Sequence, residues 1–331
     1  HPLYRDDPAH GPALCLTTGP GHRRAGSHGP KPAWRGGRKG EPYSVGVVHW
    51  AGRGIHMTFA LGPALLFCPA DRPDRYAKAL ERADAVILDL EDAVAPGAKA
   101  AAREALADRA TALDPARVIV RVNPAGTTTC DLDLEALAKT SYRRVMVAKA
   151  EDPRGLDALD GFEVIALCET ARGVAAAEAL AAHPSVVALM WGAEDLVASM
   201  GGTSSRGAKG QYRDVARHAR ARVLLAAAAH DRAAIDAVYL DIADRAGLQD
   251  EAMDAAASGF TATACIHPSQ VETIRAAFAP SPDAIARASR LLDAAARAGT
   301  GVFVFDGLMV DSPLLRHAEA TLRRAGVLGP T

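Results

Sequence analysis

Eight short apolar runs, alternating with alanine-rich stretches of helical periodicity, predict an α/β protein folded as a (β/α)8 TIM barrel. Two further observations narrow the prediction. The runs are mostly apolar on both alternating faces, as strands of a parallel sheet covered on both sides must be. The turn after the first run reads PADRPDR (69–75), with none of the glycines that an open dinucleotide-binding sheet requires there.

In chain order the runs are ALLFCPA (64–70), AVILDLE (85–91), RVIVRVN (117–123), RVMVAKA (144–150), EVIALCET (163–170), VVALMWGAED (186–195), DAVYLD (236–241) and TATACIH (261–267). Between the first two lies RPDRYAKALERA (72–83), with apolar residues at i, i+3 and i+4, which reads as an amphipathic helix. The apolar stretch around Val223–Ala229 is too short to span a membrane and reads as a buried helix. After the eighth run, APSPD opens an extension from 280 to 326. It holds a periodic helix, 283–299, ending at Gly299, and a second helical stretch, PLLRHAEATLRRAG. Between them sits GVFVFDGLMVDSP, which is not a ninth barrel unit. Residues 57–279 are thus expected to be the catalytic barrel and 280–331 a C-terminal helical arm or lid.

Residues 1–56 are different material: eleven Gly, eight Lys or Arg, six His and three acids, without periodicity. Such a stretch buries too little apolar surface to offset its ordering entropy. It is expected to be a disordered leader, or translated sequence upstream of a start at Met57. Over the whole chain the net charge of −1 gives no case for nucleic acid or a charged membrane surface. Five scattered cysteines without CxxC spacing argue against a disulfide framework or zinc, and for a reducing, cytoplasmic setting.

A barrel places chemistry at the carboxyl ends of its strands. Those ends carry Cys68, with Arg72 and Arg75 beyond it, Glu91 and Asp92, Arg121 and Asn123, Lys149, Glu169, Glu194 and Asp195, Asp241, and His267. Mixed signs, with Arg121 and Lys149 among several acids, suit a hard divalent ion and an anionic substrate. Glu169 and Asp195, at the ends of neighbouring strands, are candidates for one ion. Glu194 competes with Asp195, but adjacent residues on an extended chain face opposite ways. Glu169 also has a plainer reading, as an acid at the start of the next helix.

The ordered set LLFCPADRPDRYAKALERADAVILDLEDAV, VRVN, ETARGV, WGAEDL, IHPSQ and DGLMVDSP resembles the citrate lyase β-subunit-like group of the HpcH/HpaI aldolase family, from about Gly62 to Gly326. The resemblance implies a Mg²⁺-dependent barrel, trimeric or hexameric, that makes or breaks a C–C bond between a 2-oxo acid and an acyl-CoA enolate. It places the metal ligands on Glu169 and Asp195 and the substrate arginine on Arg121. It places the CoA-phosphate contacts on Arg75 and Lys78, with Arg72 beside them. It places an acid that reaches a neighbouring subunit's site on Asp311. Two departures, Ala148-Lys149 for Pro-Lys and Cys68-Pro69-Ala70 for Val-Pro-Gly, leave the acyl pocket open.

The expected reaction is cleavage of a citramalyl-, malyl- or methylmalyl-type CoA thioester. Arg121 would stabilise the enolate and Asp311 would handle the proton at the enolate carbon, although Asp311 before Ser-Pro also reads as a helix cap. Glu91 and Asp92 are expected to hydrogen-bond water around the ion and to orient Arg121 or Lys149. Lys149 is expected to be an ion-pair partner, because surrounding acids oppose the lowered pKa a Schiff-base lysine needs. His267 reads as part of a turn shaping the CoA-side wall, and GGTSSRG (201–207) as a mobile loop over the site. Alternatives are a subunit that acts only on an acyl-carrier-protein-bound citryl thioester, and a non-catalytic CoA-binding relative. A side activity of the malate synthase kind is a further possibility of the same scaffold.

Overall fold

The computed structural model describes residues 61–299 and 301–329; the expectations for the leader, 1–56, lie outside them. β1 (Ala64–Pro69) leads through α1 (Tyr76–Arg82) to β2 (Ala85–Asp89), and α2 (Lys99–Arg109) leads to β3 (Val118–Val122). After α3 (Thr128–Leu137) come β4 (Arg144–Val147), a 3₁₀ turn, and β5 (Glu163–Cys168). α4 (Ala171–Ala181), β6 (Val186–Trp191), α5 (Ala193–Ser199) and α6 (Asp214–Ala229) follow. The barrel ends with β7 (Ala233–Asp236), α7 (Arg245–Ser258), β8 (Ala262–Cys265) and α8 (Val271–Phe278).

All eight strands are parallel, each pairs with the next, and β8 returns to β1 through Leu65↔Ala264, closing the barrel. Alternation along the strands divides the apolar residues between two cores. Leu65, Ile87, Ile119, Met146, Ile165, Met190 and Ile235 fill the interior. Leu66, Val86, Leu88, Val120, Val147 and Trp191 face the helices. Both sides of each strand are therefore dry, which is why the runs are mostly apolar in sequence.

One strand differs from the sequence expectation. β7 is Ala233–Asp236, and most of DAVYLD follows it as a loop. The buried Asp236 explains the stop: its carboxylate accepts from Trp191 Nε1 at 2.5 Å, from Arg220 at 2.8 Å and from the Ala237 backbone N–H at 3.1 Å. These bonds turn the chain out of the barrel, so Asp241 is an exposed loop residue instead of a strand end.

The C-terminal arm comprises α9 (Pro282–Ala298), a separate antiparallel hairpin of β9 (Phe303–Phe305) and β10 (Leu308–Val310), and α10 (Ser312–Arg324). Asp306 and Gly307, with φ of 49° and 77°, make the tight turn, where the glycine meets the positive φ without strain. α9 ends at Gly299 in the left-handed conformation. Ala288, Ala318 and Leu322, with Ile285, Leu291 and Leu292, form the arm's own small core.

Candidate active site

The charged residues converge at the mouth of the barrel, over β2 to β6. Asp89, the last residue of β2, pairs in register with Arg121 on β3. Its side chain is 1% exposed and receives Arg121 Nε and Nη2 at 2.7 and 2.6 Å in a two-pronged bond. The same carboxylate accepts the backbone N–H groups of Glu91 and Ala93 at 2.9 and 3.1 Å, so it also shapes the turn after the strand. Burial disfavours charge on Arg121, but Asp89, with help from Glu91, wins and keeps the guanidinium firmly protonated. The Phe67 ring stacks against it, 4.9 Å from centroid to Cζ.

Glu91 bonds Lys149 Nζ and lies 3.3 Å from Arg121 Nη1. Burial raises its pKa, opposed by the two cations. Asp92, exposed at the rim, takes Lys149 Nζ at 3.0 Å. Desolvation pushes the Asp92 carboxyl upward, but the Lys149 ammonium overrides it and the net shift is down. Lys149 also stands 3.9 Å from Asp195. Despite partial burial its acid partners hold it protonated well above the ordinary lysine range, the wrong state for a Schiff-base nucleophile.

Lys149 has φ of +48°, a left-handed backbone uncommon for a residue with a Cβ. That twist directs its N–H to Glu169 Oε1 at 3.0 Å. Glu169, just past β5, is 2% exposed, and its pKa is pushed up to about 8 by burial and then by the neighbouring Asp195 charge, against the pull of Arg121 and Lys149. The carboxylate has room because residue 192 is glycine: a Cβ there would lie 2.8 Å from Glu169 Cβ and 3.0 Å from Oε2. Glu169 precedes the α4 N-cap, a role filled by Thr170, whose hydroxyl accepts the Gly173 N–H at 3.0 Å.

Strand alternation is not what separates Glu194 from Asp195. β6 stops at Trp191, and both acids occupy the first turn of α5. It is a helical turn that separates them, and Glu194 is taken by the hydroxyl of buried Ser205. The segment 201–207, read as a loop over the site, is pinned at its end. Besides Ser205, Arg206 pairs with Glu251 at 2.8 Å and stacks on Tyr212 and Tyr239, 3.8 and 4.8 Å from their centroids.

The remaining candidates lie apart. Arg72, paired with Asp74 at 3.0 Å, and Arg75 are exposed on the turn after β1, and Lys78 is exposed on α1. His267 caps a 3₁₀ turn beyond β8, its Nδ1 accepting the Ser269 N–H at 3.2 Å. Asp311 stands at the N-cap position of α10, yet its side chain makes no capping bond. No hydrogen bond or ion pair among the described residues joins it to the cluster. Sequence reasoning assigned no site role to Asp89 or Gly192. The pairing of Asp89 with Arg121 comes from the strand register.

Residues 64–268 match the family described as HpcH/HpaI aldolase/citrate lyase. The chain belongs to that family. A citrate lyase subunit beta-like protein of Mycobacterium tuberculosis is 58% identical over 267 residues, covering 81% of this chain and 97% of the relative. The human mitochondrial citramalyl-CoA lyase is 32% identical over 293 residues, covering 79% of this chain and 85% of that protein. Among solved structures, CitE from M. tuberculosis in complex with magnesium, acetoacetate and coenzyme A aligns with a TM-score of 0.77 at 58% identity, covering 80% of this chain and 98% of that one. An HpcH/HpaI barrel is therefore the frame in which the cluster over β2 to β6 stands. Among the described residues of this family member no helix is long and apolar enough to cross a membrane. No group of three or more His, Cys, Asp or Glu among them is arranged to hold a metal.

Proposed function

We propose that the chain is a Mg²⁺-dependent carbon–carbon lyase. It cleaves 3-hydroxy-3-carboxyacyl-CoA thioesters of the citramalyl, malyl or methylmalyl type into a 2-oxo acid and an acyl-CoA. The observation that carries this reading is the buried Glu169 carboxylate facing Asp195, with Arg121 and Lys149 alongside. A buried carboxylate next to a second acid is costly unless a cation joins it. Two carboxylates, with substrate oxygens and water completing the shell, are what Mg²⁺ takes. Glu169 and Asp195 would hold the ion, and a bound Mg²⁺ supplies Lewis-acid polarisation of the substrate hydroxyl. The relatives named above, one a citramalyl-CoA lyase and one complexed with magnesium and coenzyme A, support the same assignment.

The chain's own groups then divide the work. Arg121, clamped by Asp89 through Nε and one Nη2 hydrogen, keeps N–H donors on both terminal nitrogens for the substrate, and these stabilise the developing enolate oxygen. Glu91 and Asp92 hold Lys149 over the site as a fixed cation. Arg75 and Lys78, with Arg72, meet the CoA phosphates, and the turn of His267 forms the adjoining wall. Asp311 exchanges the proton at the enolate carbon. It does so in a second copy of the chain, as a homotrimer or hexamer allows. The arm's hairpin exposes Val304, Leu308 and Met309, at 75%, 53% and 68%, an apolar face suited to such a contact. The four described cysteines are free and buried, which fits a reducing cytoplasm.

The test is purified protein with a panel of CoA thioesters. Release of pyruvate or glyoxylate that chelation abolishes is expected. No release from any member, or activity indifferent to chelation, refutes the reading. Cleavage confined to acyl-carrier-protein thioesters would assign the chain to a citrate lyase complex instead.

A further inference from the structure

Behind the turn that carries Glu91, on the outer side of the barrel wall, Lys99 opens α2. Its ammonium donates to the Leu90 carbonyl at 2.7 Å, the Glu91 carbonyl at 2.8 Å and Asn123 Oδ1 at 2.9 Å. All three protons are thus spent on neutral oxygens. A cation at a helix N-terminus is opposed by the helix dipole, so its place there needs compensation. Here the compensation is a bond set centred on consecutive peptide groups of one turn.

The far side of the set is equally fixed. Asn123 Nδ2 donates to Asp133 Oδ2 at 2.7 Å and to the Leu90 carbonyl at 3.1 Å, and the Asn123 N–H donates to Asp133 Oδ2 at 2.9 Å. Asp133 is fully buried on α3, and its other oxygen takes Arg103 Nε at 2.7 Å. Arg103 follows Lys99 by one helical turn, so a single face of α2 grips the ends of β2 and β3 through Lys99 and α3 through Arg103. From the inner side Asp89 holds the Glu91 N–H at 2.9 Å. The Glu91 residue is therefore gripped at its nitrogen from within the barrel and at its carbonyl from outside, which leaves its carboxylate directed at Lys149 and Arg121.

We propose that Lys99 is a positioning residue for the lyase reaction: by fixing the Leu90–Glu91 peptides it seats Glu91, and through Glu91 the cations Lys149 and Arg121. This inference rests on the function proposed above. Lys99 bonds neither Glu169 nor Asp195, so its removal takes no direct bond from the proposed metal ligands.

The experiment compares the parent with Lys99→Met and Lys99→Gln as full chains with Mg²⁺. In Lys99→Met, kcat is expected to fall about tenfold or more, with KM for the thioester and the Mg²⁺ affinity each held within about threefold. Lys99→Gln, which retains a donor, is expected to lie between the two and covers the case in which the methionine variant does not fold. Added methylamine is expected to restore part of the rate of Lys99→Ala. An arm independent of turnover uses ¹⁵N-labelled lysine: an ammonium resonance of Lys149, assigned through Lys149→Met, is expected in the parent and is expected to be lost or shifted in Lys99→Met. An unchanged kcat, or a parallel loss of kcat, KM and Mg²⁺ affinity, overturns the proposal, since the second pattern marks general support of the fold. If the parent cleaves no thioester, the functional reading fails by itself. The Lys149 resonance then still decides the arrangement, and its persistence in Lys99→Met overturns it.

Discussion

Glu169→Gln separates the stability cost of the site from its chemistry. The parent carboxyl, with an ordinary value of 4.5, is raised to about 8 in the folded protein. A carboxyl raised on folding binds its proton more tightly in the native state. Its contribution is favourable at low pH and is lost as pH climbs from the unfolded value to the folded one. Taken alone, the raised pKa of Glu169 lowers the stability of the metal-free fold, relative to a side chain that does not titrate, by at most about 1 kcal/mol at pH 5, about 3 at pH 7 and about 5 at pH 9. Glutamine keeps an acceptor for the Lys149 N–H, now at 3.0 Å, and places its amide donor toward Asp195, so it removes the titration with little change of shape. Urea unfolding with a chelator present, repeated at pH 5, 7 and 9, gives the difference between variant and parent. The difference is expected to grow with pH in favour of the variant by roughly these amounts. Saturating Mg²⁺ is expected to stabilise the parent most at high pH, to leave the variant nearly unmoved, and to support turnover only in the parent. A difference that stays flat from pH 5 to 9, or that favours the parent, refutes the claim that Glu169 is held in an environment built for a cation.

Three further outcomes follow from the same geometry. Gly192→Ala places a methyl group 2.8 Å from Glu169 Cβ, so Mg²⁺ affinity by calorimetry is expected to fall about tenfold or more while the barrel's circular dichroism is retained. Asp89→Ala strips a buried partner from Arg121, which also loses its orientation; a stability loss of about 3–5 kcal/mol in urea and a drop in kcat are expected together. Asp311→Asn keeps the size of the side chain and is expected to slow turnover about a hundredfold, with the melting temperature unchanged because that side chain caps nothing.

The barrel was legible because its signal is local and repeated. A strand buried on both faces is a short run dominated by apolar residues, and RVIVRVN or EVIALCET needs no distant partner to be read. The limit appears at β7, where the run AAID precedes DAVYLD and two apolar segments compete. Asp236 decides the end of the strand through Trp191 and Arg220, which lie 45 and 16 residues away in sequence. No periodicity encodes that. Glu194 makes the same point. Its separation from Asp195 was anticipated, but the cause is the hydroxyl of Ser205 and a helical turn, both outside the reach of strand alternation.

The acids at the end of the second strand show what kind of information the fold adds. As a sequence, Asp89, Glu91 and Asp92 look like one cluster and the densest place to put an ion. In the fold each already faces a cation: Asp89 faces Arg121, Glu91 faces Lys149 and Arg121, and Asp92 faces Lys149. Their charge is spent. Burial is the largest influence on both Glu91 and Glu169, but the next on Glu91 is the Arg121 charge, whereas the next on Glu169 is a second carboxylate, Asp195, and the cations do not reverse the rise. The carboxylate left short of positive charge is the one proposed as a metal ligand, and that deficit is a property of neighbours contributed by four different strand ends. The same ends are tied to one another at the rim: β2 to β3 through Lys99 and Asn123, β4 to β5 through the Lys149 N–H, and the loop after β7 to the one after β8 through Gln270. A parallel barrel fixes where its strands stop but not how the following turns are aimed. These cross-links supply the aim, so removing any one is expected to disturb the chemistry of residues it never touches.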